Sequence, residues 1–97
     1  MLEANVATGP AKLFSAFVDN RANTVGSYVK LYNATTATVG TTVPPLVLWV
    51  PASIAMTFNF LSGLMFSTAI SFAAVTTGGT SGTTCPVSDV IVELVVR

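Results

Sequence analysis

The clearest signal in this chain is alternation. Ile54, Met56, Phe58 and Phe60 are large and apolar, while Ala55, Thr57 and Asn59 between them are small or polar. A period of two puts each set on its own face of a strand. The same period returns at 90–97. There Val90, Val92, Leu94 and Val96 face inward, and Asp89, Glu93 and Arg97 face out together with Ile91 and Val95. At 25–33, Val29 and Leu31 share one face, and Tyr28, Lys30 and Tyr32 share the other.

Other segments read less sharply. Residues 46–50 are a continuous apolar run after Pro44-Pro45, a pattern typical of a strand buried on both faces. Residues 68–75 read as a strand with Ile70 and Phe72 on one face, and a short strand fits Met65 and Phe66. Residues 12–19 are a further strand candidate, although the spacing of Leu13, Ala16 and Phe17 would also suit a helix. Turn formers at 19–23, 51–53 and 61–64 separate these segments, with longer loops at 33–42 and 77–88. Residues 1–10 lack a pattern and close on Gly9-Pro10. They predict an N-terminal arm or a frayed end. One domain, 11–97, follows. Six to eight short strands at this spacing predict an all-β fold, a single antiparallel β-sandwich or small barrel.

A membrane helix is the main rival, because no charge occurs between Lys30 and Asp89 and 53–75 is long enough to span a bilayer. Three features oppose it. The segment alternates with period two; Asn59, Ser62 and Gly63 fall in its middle; and no Lys or Arg flanks either end. Met1-Leu2-Glu3 also lacks the basic start of a signal peptide.

Composition sharpens the picture. Of 97 residues, 52% are hydrophobic and 8% charged, with a formal net charge of zero. Soluble domains carry roughly 25% charged residues, so much of this surface is expected to be covered in the working state. The basic residues Lys12, Arg21, Lys30 and Arg97 are scattered, which argues against a nucleic-acid partner.

The chemistry-bearing residues are few. Histidine is absent, which removes the commonest general base and metal ligand. Cys85 is the one cysteine, has no histidine to activate it, and reads as an incidental thiol. Asp89 and Glu93 share a strand face but lie about 13 Å apart, too far to flank a sugar. The run at 77–82 is Gly-rich but lacks the lysine and helix of a phosphate loop, and reads as a flexible surface loop. Asn33-Ala34-Thr35 matches a glycosylation sequon, read as chance without a secretion signal. No catalytic residue, cofactor or metal is therefore expected. Tyr28 and Tyr32, flanking Lys30 on the more polar face of their strand, are the best candidates for an exposed contact patch.

A resemblance adds to this reading. Val29-Lys30-Leu31-Tyr32-Asn33, Thr38-Val39-Gly40-Thr41 and Pro45-Leu46-Val47-Leu48-Trp49-Val50-Pro51-Ala52 occur in order. Phe58-Asn59-Phe60, the run Gly63-Leu64-Met65-Phe66-Ser67-Thr68-Ala69-Ile70-Ser71, Thr77-Gly78 and Asp89-Val90-Ile91-Val92 follow. This series, spread over 12–96, resembles small structural proteins of tailed bacteriophages, of the capsid cement or decoration type. The turn at 51–53 departs from the pattern, since relatives often carry more glycine there. The resemblance implies a jelly-roll-like β-sandwich in the virion, with the capsid surface preferred over the tail. It implies a homo-trimer or higher cyclic oligomer that clamps neighbouring copies of the major capsid protein. A tail, baseplate or fibre module that binds host glycan is the alternative, and a small membrane protein the second alternative.

Overall fold

The computed structural model describes residues 2–7, 9–88 and 90–97, and for 2–7 the backbone alone. Among the described residues there is no helix. Seven strands form: β1 (Leu2–Ala7), β2 (Ala11–Asp19), β3 (Ser27–Tyr32), β4 (Leu46–Val50), β5 (Ala55–Phe66), β6 (Ile70–Val75) and β7 (Ile91–Val96). They make two sheets, β1-β6-β3-β4 and β5-β2-β7, with every pair antiparallel. The all-β sandwich expected from alternation is the observed fold.

The topology is specific. Only the β3–β4 connection stays within one sheet; the other five cross between sheets. A full jelly roll orders its strands 2-7-4-5 and 1-8-3-6. Removing its first strand and renumbering gives 1-6-3-4 and 7-2-5. Those are the two sheets seen here. The described strands form a jelly-roll sandwich in which β7 has one neighbour among the described residues.

The core lies between the sheets. Leu13, Ala16 and Val18 of β2, Val29 and Leu31 of β3, and Leu48 and Val50 of β4 are buried. Phe58 and Phe60 of β5 and Val92, Leu94 and Val96 of β7 pack against them, on the faces that alternation assigned. Phe66 and Ile70 close one end.

Three segments depart from the sequence reading. Leu2–Ala7 is strand β1 on the edge of β6, rather than an irregular arm. The strand candidate at 12–19 is β2, and the helix that its spacing would also suit does not form. Residues 61–64 do not end a strand, because β5 runs on through them for 12 residues in all. The turn signal there is a bulge. Leu13 and Ser15 are two apart on β2, but their partners Leu64 and Asn59 are five apart on β5, so three extra residues loop out. Gly63, at φ +76°, accommodates the kink. Finally, β4 is buried on one face only. It is an edge strand, and Val47 and Trp49 point to solvent while Leu48 and Val50 point inward.

Candidate interaction surface

Tyr28, Lys30 and Tyr32 do share the outer face of β3, but they do not form an exposed patch. Lys30 and Tyr32 are fully buried and Tyr28 is half-buried. Over Tyr28 and Lys30 the cause is the 77–84 loop, which folds back over this face of the sheet. Lys30 Nζ donates to the Gly82 carbonyl at 2.7 Å and to that of Thr80 at 3.4 Å. Gly78 lies against the Tyr28 ring, so closely that an added Cβ would meet ring carbons at 3.1 Å. Thr76 N donates to Thr84 O at 2.8 Å and pins the base of the loop. The loop read as flexible is therefore a cover, tied to what it covers.

Burial has electrostatic consequences. Lys30 has only carbonyl partners among the described residues, and burial pulls its ammonium pKa below the ordinary lysine value. The Tyr32 hydroxyl is buried without a hydrogen-bond partner among the described residues, and burial raises its pKa. Among the described residues, neither makes a hydrogen bond to a nucleophile or a carboxylate.

The best-organised polar cluster escaped the sequence reading. Asn20, read as a turn former, is fully buried. Its Nδ2 donates to the carbonyls of Val25 and Pro51, each at 3.1 Å, and its Oδ1 accepts from Asn23 Nδ2 and Ser27 Oγ, each at 3.0 Å. Asn23 extends the network, donating to Ser88 O at 3.0 Å and accepting from Ser88 N at 2.8 Å. Three chain segments, 20–27, Pro51 and Ser88, meet at this end of the sandwich, and both N–H groups of each Asn amide are donated to protein acceptors. The role is structural. Two asparagines three residues apart, followed by Ser27, were the available signal. They read equally well as an exposed turn.

Asn33 of the sequon is likewise employed: its Oδ1 accepts from Thr68 N at 2.8 Å and its Nδ2 donates to Ser67 Oγ at 3.1 Å. Cys85 is exposed. Glu93 stands on the outer face of β7, opposite Phe17, and Asp89 lies outside the described residues. Among the described residues no three of His, Cys, Asp and Glu gather as metal ligands. A cavity of about 230 Å³ beside Asn23, Val25 and Thr76 has no titratable side chain in its lining.

What remains open is apolar. Val47 and Trp49 are 40% and 51% exposed on the outer face of β4, next to Tyr28 across the strand pair. The outer face of the other sheet carries Met65, Ile91 and Val95, each more than half exposed. Leu61, at the tip of the β5 bulge, is 99% exposed. Water meets these side chains only because nothing else covers them. Charge is sparse among them. Asp19 and Arg21 form a bidentate pair, with Arg21 donating from Nη2 to Oδ2 at 2.8 Å and from Nε to Oδ1 at 3.0 Å. The Arg97 guanidinium sits 5.6 Å from the centre of the Phe14 ring.

No family model, curated protein or solved structure matches this chain.

Proposed function

We propose that this chain is a non-catalytic structural subunit of a phage virion, a capsid cement or decoration protein. It self-associates with closed symmetry and clamps neighbouring major capsid subunits. One observation carries the reading: large apolar side chains on both outer faces and on the β5 bulge stand open to water in a chain of 8% charged residues. Obligate interfaces are more hydrophobic than ordinary surface, and their subunits look like this when separated. The ordered motif series along 12–96 and the jelly-roll topology support the same reading. Electron microscopy of purified virions tests it, with density for the chain expected on the capsid surface. A monodisperse monomer with no affinity for capsids that lack it overturns it.

Trp49 favours a second reading, a tail or fibre module that binds glycan. It is the only tryptophan, it is 51% exposed, and it stands beside Tyr28. Aromatic faces of this kind stack on sugar rings. Quenching of tryptophan fluorescence by a glycan, together with tail localisation, would favour this reading over the first. The membrane alternative has lost its main support: 53–75 holds strands β5 and β6, and among the described residues no helix is long and apolar enough to cross a bilayer.

A further inference from the structure

In a full jelly roll the strand here called β7 has a neighbour on each side. Among the described residues β7 pairs with β2 alone. The other three edges, β1, β4 and β5, are edges in any jelly roll. The edge of β7 is the one that the fold ordinarily covers.

The direction of its free groups can be read from the ladder. Arg97 N donates to Lys12 O at 3.0 Å, and Lys12 N donates to Arg97 O at 2.9 Å. Arg97 thus turns both backbone groups toward β2. Alternation then turns those of Val96, Leu94 and Val92 outward, toward that edge. These same residues are only half-buried, although they line the core.

We infer that this edge is covered by β7 of a second copy, antiparallel across a twofold axis at Val95. The sequence selects this register. Pairing Val95 with its own mate places Leu94 opposite Val96 of the second copy, and those residues exchange the free backbone hydrogen bonds. On the outer face, Glu93 falls opposite Arg97 of the second copy, twice by symmetry. Glu93 and Arg97 carry opposite charges and are both exposed. They are four apart on one strand, roughly 13 Å, and so do not pair within a chain. Val95, 55% exposed, is covered by its mate. The resulting sheet runs continuously through six strands, β5-β2-β7 and its copy.

Five paired residues bury on the order of 400 Å² per protomer, the low end for a specific contact. The pair is therefore concentration-dependent rather than permanent. The inference rests on the self-association reading above, and replaces the trimer or higher ring expected from the sequence with a twofold contact.

A charge-exchange series measured by sedimentation velocity over a wide concentration range tests it. Glu93→Arg alone and Arg97→Glu alone place like charges opposite each other, and each is expected to weaken the dimer at least about tenfold. The double variant Glu93→Arg/Arg97→Glu restores the complement and is expected to return the dimer to wild-type strength. Val95→Lys, at an exposed position the fold tolerates, places two ammonium groups on the axis and is expected to abolish pairing. If the wild type associates and the single variants associate equally well, the β7 contact is wrong while self-association stands. If the wild type is a monomer at every concentration, self-association itself fails.

Discussion

The Lys30 ammonium donates to the Gly82 carbonyl at 2.7 Å, joining the centre of a sheet to the middle of a loop 52 residues later. The bond explains why the outer face of β3 is closed at Lys30. It also makes the loop dependent on one side chain. Lys30→Met keeps the packing volume but removes the donor. Faster amide hydrogen exchange is expected at 77–84 in this variant, with little change in β2 or β5.

The same lysine sets a pH dependence. Burial lowers its pKa in the folded chain below the unfolded value of 10.5. Between the two values the unfolded chain binds more protons, so stability rises with pH through that window. Urea midpoints for the wild type are expected to climb as the pH rises toward the unfolded lysine value, and those of Lys30→Met to stay flatter. Tyr32 works the other way above pH 10.0, because burial raises its pKa and the unfolded phenol ionises first. The comparison belongs below pH 10.

Asn20 is the hub of the polar network, and Asn20→Ala leaves the carbonyls of Val25 and Pro51 without its amide and the Asn23 amide and Ser27 hydroxyl without its oxygen. The expected cost is about 3 kcal/mol, from buried groups left unsatisfied. In a domain of this size that is a fall in melting temperature of roughly 12 °C or more. Calorimetry would check it. Asn33→Ala, whose shorter bonds to Ser67 and Thr68 are exposed, is expected to cost less.

Asp19 has a pKa of about 2, held down first by its side-chain hydrogen bond to Arg21 and then by the Arg21 backbone N–H at 3.0 Å. Arg21→Ala removes the side-chain partner, and the carboxyl pKa is expected to move up toward 3.8. A carbon-detected NMR titration reads it directly. The pair favours folding above pH 3.8 and loses that effect as pH falls toward 2. Both groups meet solvent, so the effect on stability is expected to be small.

Gly82 leaves no room for a side chain. A Cβ there would collide with the Thr77 carbonyl, which is backbone and has no rotamer to yield. Gly82→Ala is expected to push the loop off Lys30 and cost about 2 kcal/mol. Gly79→Ala is a useful contrast. Its Cβ meets open space, but its φ of +75° makes an alanine strained on backbone grounds alone. Its loss is expected to be smaller, about 1 kcal/mol.

Much of the sandwich was legible because strands with one solvated face alternate. β7 and the first half of β5 declare their inner faces at every second residue, and Val92, Leu94 and Phe58 are found where alternation puts them. What alternation reports is a face, not its surroundings. It placed Tyr28, Lys30 and Tyr32 correctly on the outer side of β3, and over Tyr28 and Lys30 that side is buried by a loop whose path depends on tertiary contacts. It read 46–50 as central because five apolar residues look the same whether two neighbours cover them or one. The 61–64 bulge and a turn share the same Ser-Gly signal. β1 was missed because its pattern is weak and its pairing with β6 spans some 70 residues of sequence.

The loop over β3 has one more consequence. It gives the molecule a front and a back. One sheet carries a tied-down strap, and among its described side chains Trp49 and Val47 on the β4 margin are still uncovered. The other sheet has no strap among the described residues, and Met65, Ile91 and Val95 stand open on it. Such a tile cannot be stacked either way up: whatever it is laid against meets a finished side or an unfinished one, and only the unfinished side offers broad grip.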